Sequence, residues 1–293
     1  MAICGTARNA ALGLRESLAA IDEIRSAAES SCVVIVTNDN DDETERLLAE
    51  WSKDKPASLV IVCDGIARAL PDRIDRLAAV RNMYLQALCE QAVNYDVLAV
   101  LDLDGPNAQL SAAAVANTLV SAPRDWAAMF ANQPIAYYDL YALRHSNWVD
   151  ADVWSEVQKA CDWMRVPYVR WANRATRGRI YSALYRRSVR KYVYERQYCI
   201  EPQHPPIEVE SAFGGLGLYR FDAALVARYE SRLPSGEVIC EHVPFNRSIS
   251  SRGGRLYISP SMLNIAPHEN LGPGSGAPFP RYLGQKMRGR SSR

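Results

Sequence analysis

Four runs of consecutive apolar residues fall within the first 101 positions, and each of the first three gives way to a stretch whose apolar residues recur every three or four places. The runs are Ala2–Cys4, Cys32–Thr37, Ser58–Cys63 and Val97–Leu101. The intervening segments carry Leu14, Leu18, Ile21 and Ile24, then Thr44–Trp51, then Ile74, Leu77, Val80, Leu85 and Leu88. A strand that is apolar at every position has both faces covered, and an amphipathic helix after each strand supplies the cover. This alternation leaves few options. It predicts an α/β fold with a Rossmann-like, mixed but mainly parallel central sheet flanked by helices.

The second half is less regular. Ala112–Leu119 is expected to be a helix and Trp126–Phe130 a strand. Tyr137–Trp148 reads as an aromatic loop, Ser211–Tyr219 as a Gly-rich strand, and Asp222–Tyr229 as a helix. Pro and Gly crowd into Gly272–Pro280, which reads as coil. The expected organisation is one domain with two halves, 1–105 and 106–264, followed by a C-terminal coil, 265–293. The chain is long enough for such a core, at 293 residues.

Lys+Arg is 34 against 33 Asp+Glu, so no global charge excess points to nucleic acid as a partner. The seven cysteines contain no CxxC pair, which argues against a zinc cage. Their odd number and their place in apolar runs fit reduced thiols in a reducing compartment. No apolar run approaches the roughly 20 residues of a membrane span. A cytoplasmic protein is expected.

The sharpest chemical feature is Asp102-Leu103-Asp104-Gly105, directly after the run Val97–Leu101. Carboxylates at i and i+2 on an extended strand end project to the same side. Ligands of open α/β sheets bind at the carboxyl ends of strands. Two carboxylates there can hold Mg²⁺ or Mn²⁺, whose remaining ligands are commonly phosphate oxygens and water. Such a cation neutralises a departing diphosphate.

Gly5-Thr6-Ala7-Arg8-Asn9 follows the first strand and is expected to open the first helix, where backbone amides and an Arg suit a nucleotide. Asn38–Asp42 follows the second strand and could supply a carboxylate to a ribose or base, or simply cap the next helix. Arg76, Arg81 and Asn82 lie on the helix before the Asp102 strand. In Glu210–Tyr219, adjacent glycines permit close backbone approach to a ligand, and Glu210 is a candidate general base. In Cys240–Asn246, His242 is a candidate third metal ligand, and Glu241 is the alternative base.

Taken in order, GTARN, NDNDDET, RLAAVRN, VLDLDG, YYDLYALR, SAFGGLGLYR and CEHVPFN resemble the glycosyltransferases related to cryptococcal capsule mannosyltransferases. The resemblance runs from Ile3 to about Asn264. It implies a GT-A fold and transfer of a sugar from a nucleotide-sugar donor to a glycan or lipid-linked glycan acceptor in surface polysaccharide synthesis. It places donor contacts at Thr6, Arg8, Asn9, Asp39, Arg81 and Asn82, with Asp102 and Leu103 beside them. It places metal binding, by Mn²⁺ or Mg²⁺, at Asp102, Asp104 and His242. Acceptor contacts are expected at Tyr138, Asp139, Gly214 and Gly215. The 1–105 half would then hold the donor and the 106–264 half the acceptor. Asn40 stands where the family more often has a small hydroxyl residue.

A nucleotidyltransferase also uses strand-end carboxylates and a metal, but it would need a Gly-rich loop with a Lys, which GTARNAALGLR lacks. A non-catalytic glycan-binding protein is a third reading. Between Arg165 and Arg196 stand ten Arg or Lys and a single acid, Glu195, interleaved with aromatics. Lys286, Arg288, Arg290 and Arg293 add a basic tail. Such clusters suit a peripheral contact with an anionic membrane at its inner face, or a diphosphate-linked acceptor.

Overall fold

The computed structural model describes residues 1–91 and 93–284. The basic tail from Lys286 onward lies outside the described residues. The first half alternates as the periodicity requires: β1 (Ala2–Ala7), α1 (Ala11–Ser26), β2 (Cys32–Thr37), α2 (Thr44–Ser52), β3 (Ser58–Val62), the short α3 (Ile66–Ala69), α4 (Arg73–Gln91) and β4 (Val97–Asp102). Beyond them come α5 (Ala112–Ser121), β5 (Trp126–Asn132), α6 (Val153–Cys161), α7 (Pro167–Ala175) and α8 (Arg179–Tyr192). The chain continues through β6 (Tyr198–Cys199), β7 (Ile207–Val209), β8 (Leu216–Arg220), α9 (Phe221–Leu225), α10 (His242–Ser250), β9 (Arg255–Leu263) and β10 (Ala277–Pro278).

Eight strands form one sheet in the order β3-β2-β1-β4-β8-β5-β9-β7. Strands β3, β2, β1 and β4 run parallel, as do β5 and β9. Strand β8 is antiparallel to both its neighbours, and β7 is antiparallel to β9. The expected α/β class with a mixed, mainly parallel sheet between helices is therefore what the chain adopts. β6 and β10 pair apart from this sheet.

The continuous apolar strands are explained by where alternate side chains go. Ala2, Cys4, Val34, Val36, Leu98 and Val100 pack with Val80, Tyr84 and Leu88 of α4 on one face. Ile3, Val33, Ile35, Ala99 and Leu101 pack with Leu14, Leu18 and Ile21 of α1 and Leu48 of α2 on the other. A period of two splits each strand between two cores, so every position is apolar. β3 sits at the sheet edge and is only partly buried.

The first helix does not start where the sequence suggested. β1 continues through Gly5 and Thr6 to Ala7, because Gly5 is paired on both sides, with Ile35 and Leu101. A Cβ at Gly5 would lie 2.8 Å from Leu103 Cδ1. α1 opens only at Ala11. The Gly-rich strand is shorter than expected, with Ser211–Gly215 forming a loop before β8. The basic segment is two helices, α7 and α8. The C-terminal stretch is not a free coil, since Leu283 is buried in the main core and Gly276 N–H donates to Gln197 O (2.7 Å).

Candidate active site

The parallel strands β1, β2 and β4 end on one side of the sheet, and a cleft of about 570 Å³ opens there. Alternation at the end of β4 points Asp102 and Asp104 into it and turns Leu103 the other way. Leu103 is fully buried against Gly5, so its side chain is core rather than the expected donor contact. Asp104 is exposed, and the Asp102 side chain keeps 30% of its surface. Burial, together with Asp104 and Asp139 nearby, pushes the Asp102 carboxyl up to about 7 against the pull of Arg81.

Arg81 reaches the cleft floor from α4 and is 3% exposed. Its Nη2 donates to Asp102 Oδ1 (3.0 Å) and its Nε to Glu241 Oε1 (3.1 Å), while Nη1 is buried with no hydrogen-bond partner. The guanidinium also lies 5.1 Å from the Phe213 ring and 5.8 Å from the Tyr229 ring. Burial opposes the Arg81 charge, but Tyr84, Asp102 and Glu241 outweigh it and raise its pKa.

His242 begins α10 and lines the cleft. Its ring stacks on Phe213 with centroids 3.8 Å apart, and neither ring nitrogen has a hydrogen-bond partner. Burial and then Arg81 hold its pKa well below the usual histidine range, so the imidazole is neutral. Carboxylates are the donor type a hard divalent ion takes, and a neutral, unpartnered imidazole is a ligand of softer divalent ions. The three are not, however, gathered as expected. Among the described residues no group of three or more His, Cys, Asp or Glu is close enough to hold a metal. Asp102 is paired with Arg81 instead, and the His242 ring stacks on Phe213. The residues fit a two-carboxylate site for Mn²⁺ or Mg²⁺, with His242 lining the same cleft.

Beside the aspartates stands the loop before β8. Because β8 pairs antiparallel with β4, Gly215 O accepts from Asp102 N–H (2.9 Å). Gly214 and Gly215 have φ of +67° and +82°, which glycine adopts at low cost. A Cβ on Gly214 would stand 2.8 Å from Ala131 O. Three buried amides hold the loop. Asn107 Nδ2 donates to Asp102 O (2.9 Å) and Gly215 O (2.8 Å). Asn264 Nδ2 donates to Gly214 O (2.8 Å), and Gln133 Nε2 donates to Gly214 O (3.1 Å) and to Asn264 Oδ1 (2.8 Å). The sequence reading missed all three. Asn107 stood three places beyond Asp104 as the one available signal; no spacing marks Gln133 or Asn264.

On the β1 side, Thr6, Arg8 and Asn9 line the cleft as expected, joined by Arg73 and Arg76. The helix-opening amides are not free for a nucleotide. Asn9, Ala10 and Ala11 N–H donate to Asn40 Oδ1 (3.0 Å), Thr44 Oγ1 (2.7 Å) and Asp42 Oδ2 (3.1 Å). The acidic cluster after β2 therefore serves the fold. Asp39 was expected to contact the donor, but its carboxylate accepts from Gly65 N–H (2.6 Å) and Ala67 N–H (2.8 Å), and it does not line the cleft. The Asn38 amide and then those two backbone amides hold its pKa below the usual carboxylate range. Asn82 likewise turns away, exchanging hydrogen bonds with the Tyr229 backbone (2.9 and 3.0 Å).

The far wall carries Tyr138, Asp139, Tyr141 and Trp154. Asp139 accepts from Gly214 N–H (3.0 Å) and Ala142 N–H (3.2 Å), and burial raises its pKa. Of the two candidate bases, Glu241 lines the cleft but is 3% exposed and tied to Arg81. Glu210 is not among the lining residues, and its backbone N–H donates to Arg144 O (2.8 Å).

No protein-family model matches the chain, and no curated protein matches it in sequence. The resemblance to the capsule mannosyltransferases is accordingly not confirmed by either comparison. Among solved structures, it is similar to a mannosyltransferase from Pyrobaculum calidifontis in complex with GDP-Man and Mn²⁺, at 12% identity and TM-score 0.48, over 90% of this chain and 56% of that one. It is similar to S. aureus TarS (residues 1–349) at 9% identity and TM-score 0.45, over 90% and 58%. Glucosyl-3-phosphoglycerate synthase from Mycobacterium tuberculosis with UDP aligns at 11% identity and TM-score 0.40, over 91% and 71%. The chain spans little more than half the length of the first two.

Proposed function

We propose that this chain is a metal-dependent glycosyltransferase of the GT-A type, moving a hexosyl group from a nucleotide-sugar to a glycan or lipid-linked glycan acceptor. The observation that carries the reading is the cleft itself: Asp102 and Asp104 on its floor, Arg8 and Arg73 on one wall, Tyr138, Tyr141 and Trp154 on the other. Its volume suits a nucleoside diphosphate with a sugar. Asp102 and Asp104 would hold Mn²⁺ or Mg²⁺, with His242, which lines the same cleft, as the candidate third ligand. The ion supplies Lewis-acid neutralisation of the leaving diphosphate.

The residues of the chain do the positioning. Arg8 and Arg73 carry fixed charges that pair with phosphate oxygens. Arg81 keeps Asp102 oriented, and Asn107 and Asn264 hold Gly214–Gly215 beside the reacting end of the donor. The aromatic wall offers flat apolar faces to the acceptor's sugar rings. The cationic residues lining the cleft are all arginines among the described residues, and no lysine stands over the carboxylates as a nucleotidyltransferase would need.

The test is titration calorimetry with UDP, GDP and CMP, with Mn²⁺ and with EDTA, followed by hydrolysis of the matching nucleotide-sugars. One of these nucleotides should bind only with Mn²⁺, and its sugar conjugate should be turned over. Equal binding in EDTA would remove the metal role, and no binding at all would favour a non-catalytic glycan-binding protein.

A further inference from the structure

The cleft accounts for none of the charge on α7 and α8. Between Val166 and Val193 the chain has eight Arg or Lys and no Asp or Glu, although the whole chain carries only +1. The two helices pack as a hairpin. Their turn is set by Arg177 and Gly178, with φ of +52° and +78°, and Gly178 N–H donates to Asn173 O (2.8 Å).

The exposed surface of the hairpin is not only basic. Trp163 and Val166, just before α7, are 48 and 50% exposed, and Tyr168 and Trp171 on α7 are 75 and 65% exposed. Tyr168 stacks with Trp171 (6.2 Å), and Tyr181 with Tyr185 (6.0 Å). Arg170, Arg174, Arg186, Arg187 and Arg190 are exposed on the same two helices. Water-exposed Trp, Tyr and Val among arginines is the composition of a helix lying in a membrane interface, with aromatic rings at headgroup depth and cations on the anionic headgroups. A nucleic acid would use the rings and the charge but has no use for Val166. The hairpin also adjoins the cleft, since α6 packs on α8 and carries Trp154 into the cleft wall.

We infer that the α7–α8 hairpin is a docking surface for an anionic lipid bilayer, seating the chain peripherally with its cleft beside the headgroups. The surface uses none of the residues assigned to donor or metal, so it stands or falls apart from the proposed activity. No helix among the described residues is long and apolar enough to cross a membrane, and interfacial docking requires none.

The test is flotation of the full chain with vesicles of phosphatidylcholine alone or mixed 3:1 with phosphatidylglycerol. Binding should require phosphatidylglycerol and should fall steeply in high salt. Replacing two surface arginines, Arg186→Gln with Arg187→Gln, should weaken partitioning roughly thirtyfold. Tyr168→Ser with Trp171→Ser should weaken it at least roughly tenfold while leaving nucleotide-sugar hydrolysis unchanged. In the unaltered protein, brominated acyl chains should quench tryptophan fluorescence, a readout that needs no variant to fold. Lack of preference for anionic vesicles, absence of quenching, or tighter binding to single-stranded oligo-dT than to vesicles would each overturn the inference.

Discussion

Replacing Arg81 with Met removes the one guanidinium on which two carboxylates of the cleft floor rest. Its two charge-assisted hydrogen bonds, to Asp102 and Glu241, are of a kind that contributes about 1.5–3 kcal/mol each. Breaking a buried pair by deleting one partner costs about 3–5 kcal/mol, which is the same range. Asp102 is 30% exposed and partly hydrated, so its share belongs at the low end, and a loss of about 4 kcal/mol at pH 8 is expected. Met fills much of the volume, which keeps a cavity contribution small. The cost must also depend on pH. In the native protein the Asp102 carboxyl is raised to about 7, above an unfolded value of about 3.9. The folded state therefore binds more protons than the unfolded state between those values, and stability falls as pH rises through that window. Without Arg81 the Asp102 carboxyl loses the charge that pulls its pKa down, so it takes up its proton at still higher pH. The variant's deficit should therefore be clearly smaller at pH 5, where Asp102 is protonated in both proteins, than at pH 8. Urea unfolding followed by tryptophan fluorescence at pH 5 and pH 8 measures this directly. A deficit below about 1 kcal/mol at pH 8, or one that is the same at both pH values, would refute the idea that Arg81 is the counter-charge of the cleft.

Other outcomes follow from the same geometry. Asp104→Ala changes an exposed side chain, so it should leave the urea midpoint unchanged while lowering Mn²⁺-dependent donor turnover at least roughly a hundredfold in a steady-state assay. Since a cation and a proton compete for Asp102, Mn²⁺ affinity by calorimetry should fall by up to roughly tenfold per pH unit below about 7 and level off above it. Gly214→Ala forces a Cβ to 2.8 Å from Ala131 O at φ +67°, and should cost about 2–3 kcal/mol in thermal or urea unfolding. Asn264→Ala leaves Gly214 O and the Asn107 amide short of a partner. It should cost about 1–3 kcal/mol and raise the KM for the donor more than it lowers kcat.

Much of the architecture could be read from local pattern. The sheet's parallel half is written in β1, β2 and β4, whose unbroken apolar runs make sense only between two layers of helices. The floor of the cleft was equally legible. A D-L-D sequence at a strand end turns its two carboxylates one way, so Asp102 and Asp104 face the cleft, whereas Leu103, expected beside the donor, turns into the core. What local pattern did not record is which polar residues the fold itself already engages. Asp39, Asn82 and the amides of Asn9–Ala11 are all engaged by backbone or side chains some 25 to 150 residues away or nearby in the fold, and no spacing in the chain records those partners.

The sequence alone determined the layer order, the strand-end placement of the acidic pair and the cationic, aromatic character of the α7–α8 segment, because each is a matter of side-chain periodicity along a few consecutive residues. Only the tertiary structure decided which charges meet. The antiparallel insertion of β8 between β4 and β5 sets Gly215 against Asp102, and the packing of α10 near α4 delivers Glu241 and His242 to Arg81 from 160 positions away. Buried ion pairs and unpartnered groups depend on such distant encounters, where a low dielectric makes each missing or added charge count.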